Sequence, residues 1–376
     1  MKILFWQWNA FMQKGIENAF KKMNVDYDVF NYRLNDWEHD DKFIREFSEK
    51  LYKNYDAVFS VNYCPLISMV CEEKNIKYIS WVYDSPIHIR DISSFNNRCN
   101  SIFFFDRGQV EKYANDGYKN VYHMPLAVDE NVWKFEQKTS KWECDVAFVG
   151  QLYQSDFSYL MGPLDMYYRG LFDGFVNVQK KLAGAYLLDE LITDDLIKQI
   201  NLLYEKASKG GFLVGKAEME YTCACEATGR ERFEALALLS ERYKVNLYSD
   251  NKDERLPKIN QCGYVDYYTQ MPQVFRNAAI NLNISLKTIR TGIPLRVFDI
   301  LGCGGFLITN YQEELFDFFE PGVDLVVYED LKDLVLKVDY YLRHEEERKA
   351  IAENGRKKAK ESCSFISRLE KIFNQE

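Results

Sequence analysis

Short apolar runs separated by amphipathic helical segments occur twice along this chain, and no other feature narrows its fold so far. KILFW (2–6), VDYDVFNY (25–32), DAVFSVNY (56–63), KYISWVY (77–83), SIFFFD (101–106) and NVYHMPL (120–126) read as strands. Between the first two, Ile16, Ala19, Phe20 and Met23 share one helical face, and 42–53, 66–73 and 107–115 also read as helices. Strands and helices at this rhythm mean βαβ units, whose parallel sheet is covered on both faces. Residues 1–135 are therefore expected to form one doubly wound α/β domain.

WKFEQKTSKWE (133–143) is polar and aperiodic and reads as a linker, after which CDVAFVG (144–150) restarts the pattern with a strand that ends in glycine. The rhythm then breaks. Residues 156–240 read as mostly helical, notably 171–206 and 229–243, and form an expected insertion. KVNLYS (244–249), QCGYV (261–265), AINLNIS (279–285), GFLITN (305–310) and DLVVYE (324–329) resume as strands, with a helix at LRVFDILG (295–302) and a largely helical 331–361. The second domain is expected over 144–355, followed by a last helix at 356–376. A chain of 376 residues is long enough for two such cores.

The formal net charge of −9 argues against a general binder of nucleic-acid phosphates, and basic residues do not cluster with aromatic ones. Nine cysteines, odd in number and scattered, suit a reducing compartment; Cys223 and Cys225 have no matching second pair, so no metal site is expected. No apolar run approaches the roughly 18 residues of a membrane span. The N-terminus meets a polar residue after four apolar ones, short of a secretory leader. The expected location is the cytoplasm, with peripheral contact to a membrane surface left open.

In open parallel sheets, ligands bind at the carboxyl ends of the strands, and the candidate residues stand there. TGIPLRVFDILGCGGFLITN (291–310) has Pro294 near a helix start and Gly292 before it, where backbone N–H groups approach an anion. Arg296 could fork onto phosphate oxygens, and Asp299, one turn on, could accept two bonds from vicinal hydroxyls such as a ribose. The alternative is that the two side chains only form an i,i+3 ion pair and the glycines merely cap. In WVYDSP (81–86), Asp84 follows directly on a strand; it could serve as general base toward a hydroxyl, as could His88, or merely cap a turn. Asn9 and Gly15, in a loop without GxGxxG, could contact an acceptor or a phosphate, and the missing fingerprint counts against a nicotinamide enzyme. Gly150 is the matching loop of the second domain. Tyr264 could meet a base or pack in the core. P-loop, HExxH and nucleophile-elbow patterns are absent from the sequence.

The order of these segments resembles the two-domain GT-B glycosyltransferases, and among them the CgeB-like group named for a spore-maturation protein. The resemblance rests on KYISWVYDSP, on SIFFFDRGQVEKYANDGYKNVYHMPLAVDENVW, on IPLRVFDILGCGGFLITN, and on FFEPGVDLVVYEDLKDL with ERKAIAENGRKKA. It spans most of the chain outside 156–228. The resemblance implies two Rossmann-like domains facing a cleft, the last helix crossing back to the first. It implies a UDP- or GDP-sugar donor in the second domain, with Asp299 on the ribose, Arg296 on the diphosphate, and Lys287, Gly292 and Gly150 beside them. Two departures stand out. A paired-glutamate pattern of related retaining enzymes would need Glu at 291, where this chain has Thr291, and the usual histidine of the catalytic strand is missing, with Asp84 nearest. Retaining and inverting chemistry both remain open.

The expected function is transfer of a sugar from a nucleoside-diphosphate sugar to a hydroxyl of a glycan, lipid-linked glycan or protein. Asp84 and His88 would serve catalysis, Asn9 the acceptor, and Gly150, Tyr264, Lys287, Gly292, Arg296 and Asp299 the donor. No metal or other cofactor is expected, because a helix dipole and cations can stabilise the leaving diphosphate. The alternatives are a nucleotide-sugar epimerase of the same fold and a non-catalytic binding or scaffold protein.

Overall fold

A computed structural model describes residues 1–87, 89–129, 139–208 and 211–374. These residues fall into two compact units. One takes in the described residues of Met1–Lys134 with Gly292–Gly302 and Lys357–Glu376; the other those of Phe135–Thr291 with Cys303–Arg356.

The chain begins β1 (Lys2–Gln7), α1 (Gln13–Lys22), β2 (Asp26–Asn31), α2 (Asp41–Lys50), β3 (Ala57–Val61), α3 (Pro65–Lys74), β4 (Lys77–Val82), β5 (Asn100–Phe104), α4 (Arg107–Asn115) and β6 (Val121–His123). The six strands form one parallel sheet in the order β2-β1-β3-β4-β5-β6. Every residue of β3 is buried, as a central strand covered on both faces requires. The polar residue within it is satisfied: Ser60 Oγ lies 2.5 Å from the Asn62 carbonyl and 2.7 Å from the Tyr78 hydroxyl. Helix starts follow local chemistry. Asp40 accepts from the Phe43 N–H at 2.8 Å, Asp106 accepts from Gly108 N–H at 3.0 Å, and Pro65 opens α3.

The chain continues with β7 (Val146–Val149), α5 (Phe157–Met161), α6 (Met166–Lys181), α7 (Leu188–Leu191), α8 (Asp194–Ser208), α9 (Lys216–Ser240), β8 (Val245–Tyr248), β9 (Asn260–Gln261), α10 (Met271–Asn277), β10 (Ile280–Asn283), α11 (Leu295–Gly302), β11 (Leu307–Asn310), α12 (Leu315–Phe318), β12 (Val326–Tyr328), α13 (Leu331–Arg343), α14 (Glu345–Ser362) and α15 (Phe365–Asn374). The second sheet is also parallel, in the order β12-β11-β10-β7-β8-β9. The strand order thus reverses between β7 and β10, the arrangement of dinucleotide-binding sheets.

The helical stretch expected at 171–206 is three helices, interrupted where Gly184 takes a φ of +73°. The helix expected at 229–243 begins thirteen residues earlier, at Lys216. Its buried residues, from Met219 and Cys223 to Arg232 and Leu239, occupy all its faces, so no single apolar stripe marks its start in sequence. Its first half joins a separate core with Phe157, Phe172, Ile200 and Tyr204, and its second half joins the core of the second sheet through Ala235, Leu236 and Leu239. The strand expected at 261–265 shrinks to Asn260–Gln261.

In the first unit, α15 covers α1. The ring of Phe365 lies so close to Gly15 that a methyl group there would sit 2.3 Å from it. Gly15 therefore serves packing and does not open a loop to ligand. Gly292–Gly302, read above as part of the second domain, is tied to the first unit because Gly292 packs on Asp106. No helix of the described residues is long and apolar enough to cross a membrane. All nine cysteines are free thiols, and Cys262 alone is exposed.

Two outcomes follow from this packing. Gly15→Ala should lower stability by about 1–3 kcal/mol through overpacking, and Phe365→Leu in the same chain should recover part of the loss; urea unfolding measures both. Iodoacetamide on the native protein should label Cys262 first. Partial burial raises that thiol above its ordinary value, so labelling should run slower than for free cysteine and quicken as pH rises, read by mass spectrometry.

Candidate functional site

In the second unit the strand order reverses between β7 and β10, and Arg232 of α9 donates to carbonyls just past the ends of both strands. Its Nη1 donates to the Gln151 carbonyl at 2.5 Å, and its Nε donates to the Ile284 carbonyl at 3.1 Å, with Nη2 on the same oxygen. The guanidinium lies 5.2 Å from the centre of the Phe148 ring and 4.7 Å from that of Tyr153. Gly229, three residues earlier, lets α9 touch the loop: a methyl group there would stand 2.8 Å from the carbonyl oxygens of both Leu152 and Tyr153. Tyr153 itself is held at a φ of +51°, a strained conformation for a bulky residue and one that clusters at functional loops. Gly150 sits beside this clamp, with the Arg232 Nη1 3.7 Å from where its side chain would begin.

Lys287 follows β10 and is buried. Its ammonium stands 2.7 Å from the Glu231 carboxylate and donates to the Leu182 carbonyl at 2.9 Å. Glu231 also accepts from the Tyr328 hydroxyl at 3.1 Å, and burial with that carboxylate pushes the Tyr328 phenol well up. Lys287 is thus a paired cation at the strand end. Tyr264, beyond β9, is 67% exposed, which removes the core-packing alternative for it. Thr291 donates its hydroxyl to Glu314 at 2.8 Å. A buried carboxylate therefore does stand beside position 291, but it comes from 23 residues away, and nothing in the local sequence signals it.

In the first unit, Asn9, Asn62 and Asp84 follow three adjacent strands, β1, β3 and β4. Asn9 and Asn62 both take positive φ, 79° and 62°. The Asn9 and Ala10 N–H groups donate to the Gln13 side-chain oxygen at 3.1 and 3.0 Å, so the loop is fixed. Asn62 is the residue the sequence reading missed. Its side-chain oxygen accepts from Tyr83 N–H at 2.9 Å, and its amide donates to the Asp84 carboxylate at 2.6 Å. Asp84 is half-buried and aimed by that amide, and burial with the Asp84 charge pushes the Tyr83 phenol up. His88 lies outside the described residues. On α11, the Arg296 guanidinium stands 3.1 Å from the Asp299 carboxylate, the i,i+3 pair anticipated from spacing, with Asp299 buried and Arg296 partly exposed. Gly292, ahead of that helix, packs on the backbone of Asp106, where a methyl group would meet Cα at 2.8 Å. Its lack of a side chain answers to that approach.

A chain with two doubly wound parallel sheets of these strand orders has the GT-B class of fold. Residues 228–374 match a family model described as "Glycosyl transferase-like". Among solved structures, the chain is similar to Anabaena HepE in complex with UDP and glucose, at 10% identity and a TM-score of 0.58, covering 100% of this chain and 99% of that one. It is similar to a glycosyltransferase from Rickettsia africae, at 10% identity, TM-score 0.57, and 100% and 97% coverage. It is also similar to sucrose-phosphate synthase from Thermosynechococcus elongatus, at 10% identity, TM-score 0.55, and 100% and 98% coverage. At these identities the likeness establishes the fold. No protein of curated function matches the sequence.

Replacing Arg232 by Met should leave the buried Ile284 carbonyl without its charged donor and release the Gln151 carbonyl as well. The expected cost is about 2–4 kcal/mol in urea unfolding, against little change for an exposed cation such as Lys349 changed to Met.

Proposed function

We propose that the protein is a glycosyltransferase, which moves a sugar from a nucleoside-diphosphate sugar to a hydroxyl of a glycan, lipid-linked glycan or protein. The observation that carries this reading is the Arg296–Asp299 pair on α11. It lies within the glycosyltransferase-like match, together with Tyr264, Lys287 and Gly292. A carboxylate already desolvated and paired with a guanidinium offers both chemistries a nucleotide sugar needs: acceptors for ribose hydroxyls and a fork for diphosphate oxygens. HepE, of the same fold, was crystallised with UDP-glucose, which supports UDP as the first nucleotide to test and GDP as the second.

In this reading Asp299 holds the ribose. Arg296 and the N–H groups at the start of α11 meet the diphosphate, and Gly150, Tyr264 and Lys287 are the donor candidates carried by the second unit. The leaving charge is stabilised by these cations and dipoles, so the reaction runs without a metal. Asp84, aimed by Asn62, serves as the base or anchor for the acceptor hydroxyl, and Asn9 contacts the acceptor; His88 is the second candidate for proton transfer. The same reading assigns the enzyme to the hexosyl transferases of the CgeB-like group, working in the cytoplasm.

Nucleotide binding tests the reading. UDP or GDP should raise the thermal midpoint of the parent, and Asp299→Asn should lose most of that rise while its ligand-free midpoint stays near the parent's. Arg296→Ala should slow release of nucleotide from a nucleotide sugar at least tenfold, and chelation by EDTA should leave the rate unchanged. A parent whose midpoint ignores both nucleotides defeats the proposal. Conversion of the sugar donor without transfer or nucleotide release would point to an epimerase.

A further inference from the structure

Beyond the residues discussed so far, the second unit holds a cavity of about 460 Å³ at the carboxyl ends of β7 and β8. Three walls enclose it: the loop Gln151–Asp156 after β7, the loop Asn251–Asp253 after β8, and the face of α9 that carries Glu218, Tyr221, Thr222 and Cys225. The third wall belongs to the part of α9 that packs into the insertion's own core, so the cavity exists only because the chain carries that insertion. It lies at the end of the sheet where ligands of such folds bind, and its volume is that of a small-molecule site.

The lining is built rather than incidental. Tyr153 is held at positive φ by the close approach of Gly229 and by the Arg232 guanidinium, so the loop cannot relax out of the cavity without losing the clamp. Asp253 is fixed by Arg255 at 2.6 Å and by its own N–H, which donates to the Gln261 side chain at 2.7 Å. Ser155 donates to Glu226 at 2.6 Å, anchoring the far end of the loop to α9.

The chemistry of the lining selects the ligand. With Asp253 already paired to Arg255, the carboxylates of Asp156 and Glu218 stand against one ammonium, Lys252, so the lining has no surplus of cations to hold a diphosphate. Its remaining polar groups are the amides of Gln151, Gln154 and Asn251 and the hydroxyls of Ser155 and Thr222, neutral donors and acceptors suited to sugar hydroxyls. Tyr153 and Tyr221 also line it, aromatic side chains of the kind that stack on the apolar C–H side of a pyranose; the Arg232 guanidinium already covers one face of the Tyr153 ring. Burial pushes the Cys225 thiol to about 11, so it is a neutral wall and no nucleophile at physiological pH.

We infer that this cavity binds a neutral oligosaccharide and that the helical insertion exists to complete it. Its role as the seat of an acceptor glycan rests on the transferase reading above; the binding itself does not.

The test uses the full chain and saturation-transfer NMR with maltose, cellobiose, lactose and N,N′-diacetylchitobiose, plus a glucuronate-containing disaccharide as the charged control. At least one neutral disaccharide should receive magnetisation from the parent, and the charged one should receive less. Thr222→Trp, which fills the cavity, should abolish the signal, and Asn251→Ala on the exposed loop should weaken it several-fold. Circular dichroism confirms that each variant is folded; if Thr222→Trp is not, Gln154→Trp replaces it. Silence from all four neutral sugars, a stronger signal from the charged one, or signals that survive both cavity variants would overturn the inference. So would loss of the UDP midpoint rise in Thr222→Trp with sugar signals kept, since the cavity would then belong to the nucleotide. The parent separates the two proposals: a UDP response without sugar signals sinks only the cavity assignment, and sugar signals without a nucleotide response sink only the transferase reading.

Discussion

The second unit turns on what happens where its parallel sheet reverses strand order. Crossovers on either side of β7 and β10 depart in opposite directions, so the carbonyls of Gln151 and Ile284, just past both strands, fall outside the ladder and need donors from elsewhere. Arg232 resolves this with a planar fork of donors and no acceptor, reaching Gln151 and Ile284 together. A lysine would reach one carbonyl at a time. The guanidinium also needs its helix close by, which is why Gly229 has no side chain and why Tyr153 is forced to positive φ. A single buried cation thus sets the height of α9, the course of the β7 loop and the shape of the space beside it.

Around that clamp the second unit places polar groups with their partners already supplied. Lys287, Glu231 and Tyr328 form a buried chain of contacts from the end of β10 across to β12. Such a chain adds little net stability, because desolvation offsets the attraction, but breaking any member leaves a buried charge or hydroxyl exposed to nothing. Ser285 N–H donates to the Asn310 side chain at 2.8 Å, and the Asn283 amide donates to Thr309 at 2.9 Å. The carboxyl end of the sheet is therefore rigid and polar. The first unit uses the same device more sparingly, with Asn62 as the bridge that orients Asp84.

Much of this was readable from residue order, and the misses have common causes. Strands such as KILFW and DAVFSV announce themselves because both faces of a central parallel strand are buried, giving continuous apolar runs. The Arg296–Asp299 pair was anticipated because i,i+3 spacing on a helix fixes proximity without any tertiary information. The first half of α9 was missed because burial on all faces erases periodicity. Asn62, Arg232, Glu231 and Glu314 carried no signal, since each acts on residues 21 to 97 positions away.

The amino-acid sequence by itself determined two βαβ alternations, the helical break between them, and which residues follow each strand, because periodicity and turn chemistry are local. Tertiary structure alone decided what those residues face. It packed Gly15 under Phe365 and Gly292 on Asp106, where sequence offered open loops, and it set Lys287 against Glu231. It also turned a patch of helices into the wall of a cavity. The reason is physical: a side chain's partners are chosen by packing between segments far apart in the chain, and the energy of a close approach or a buried pair exists only once those segments have met.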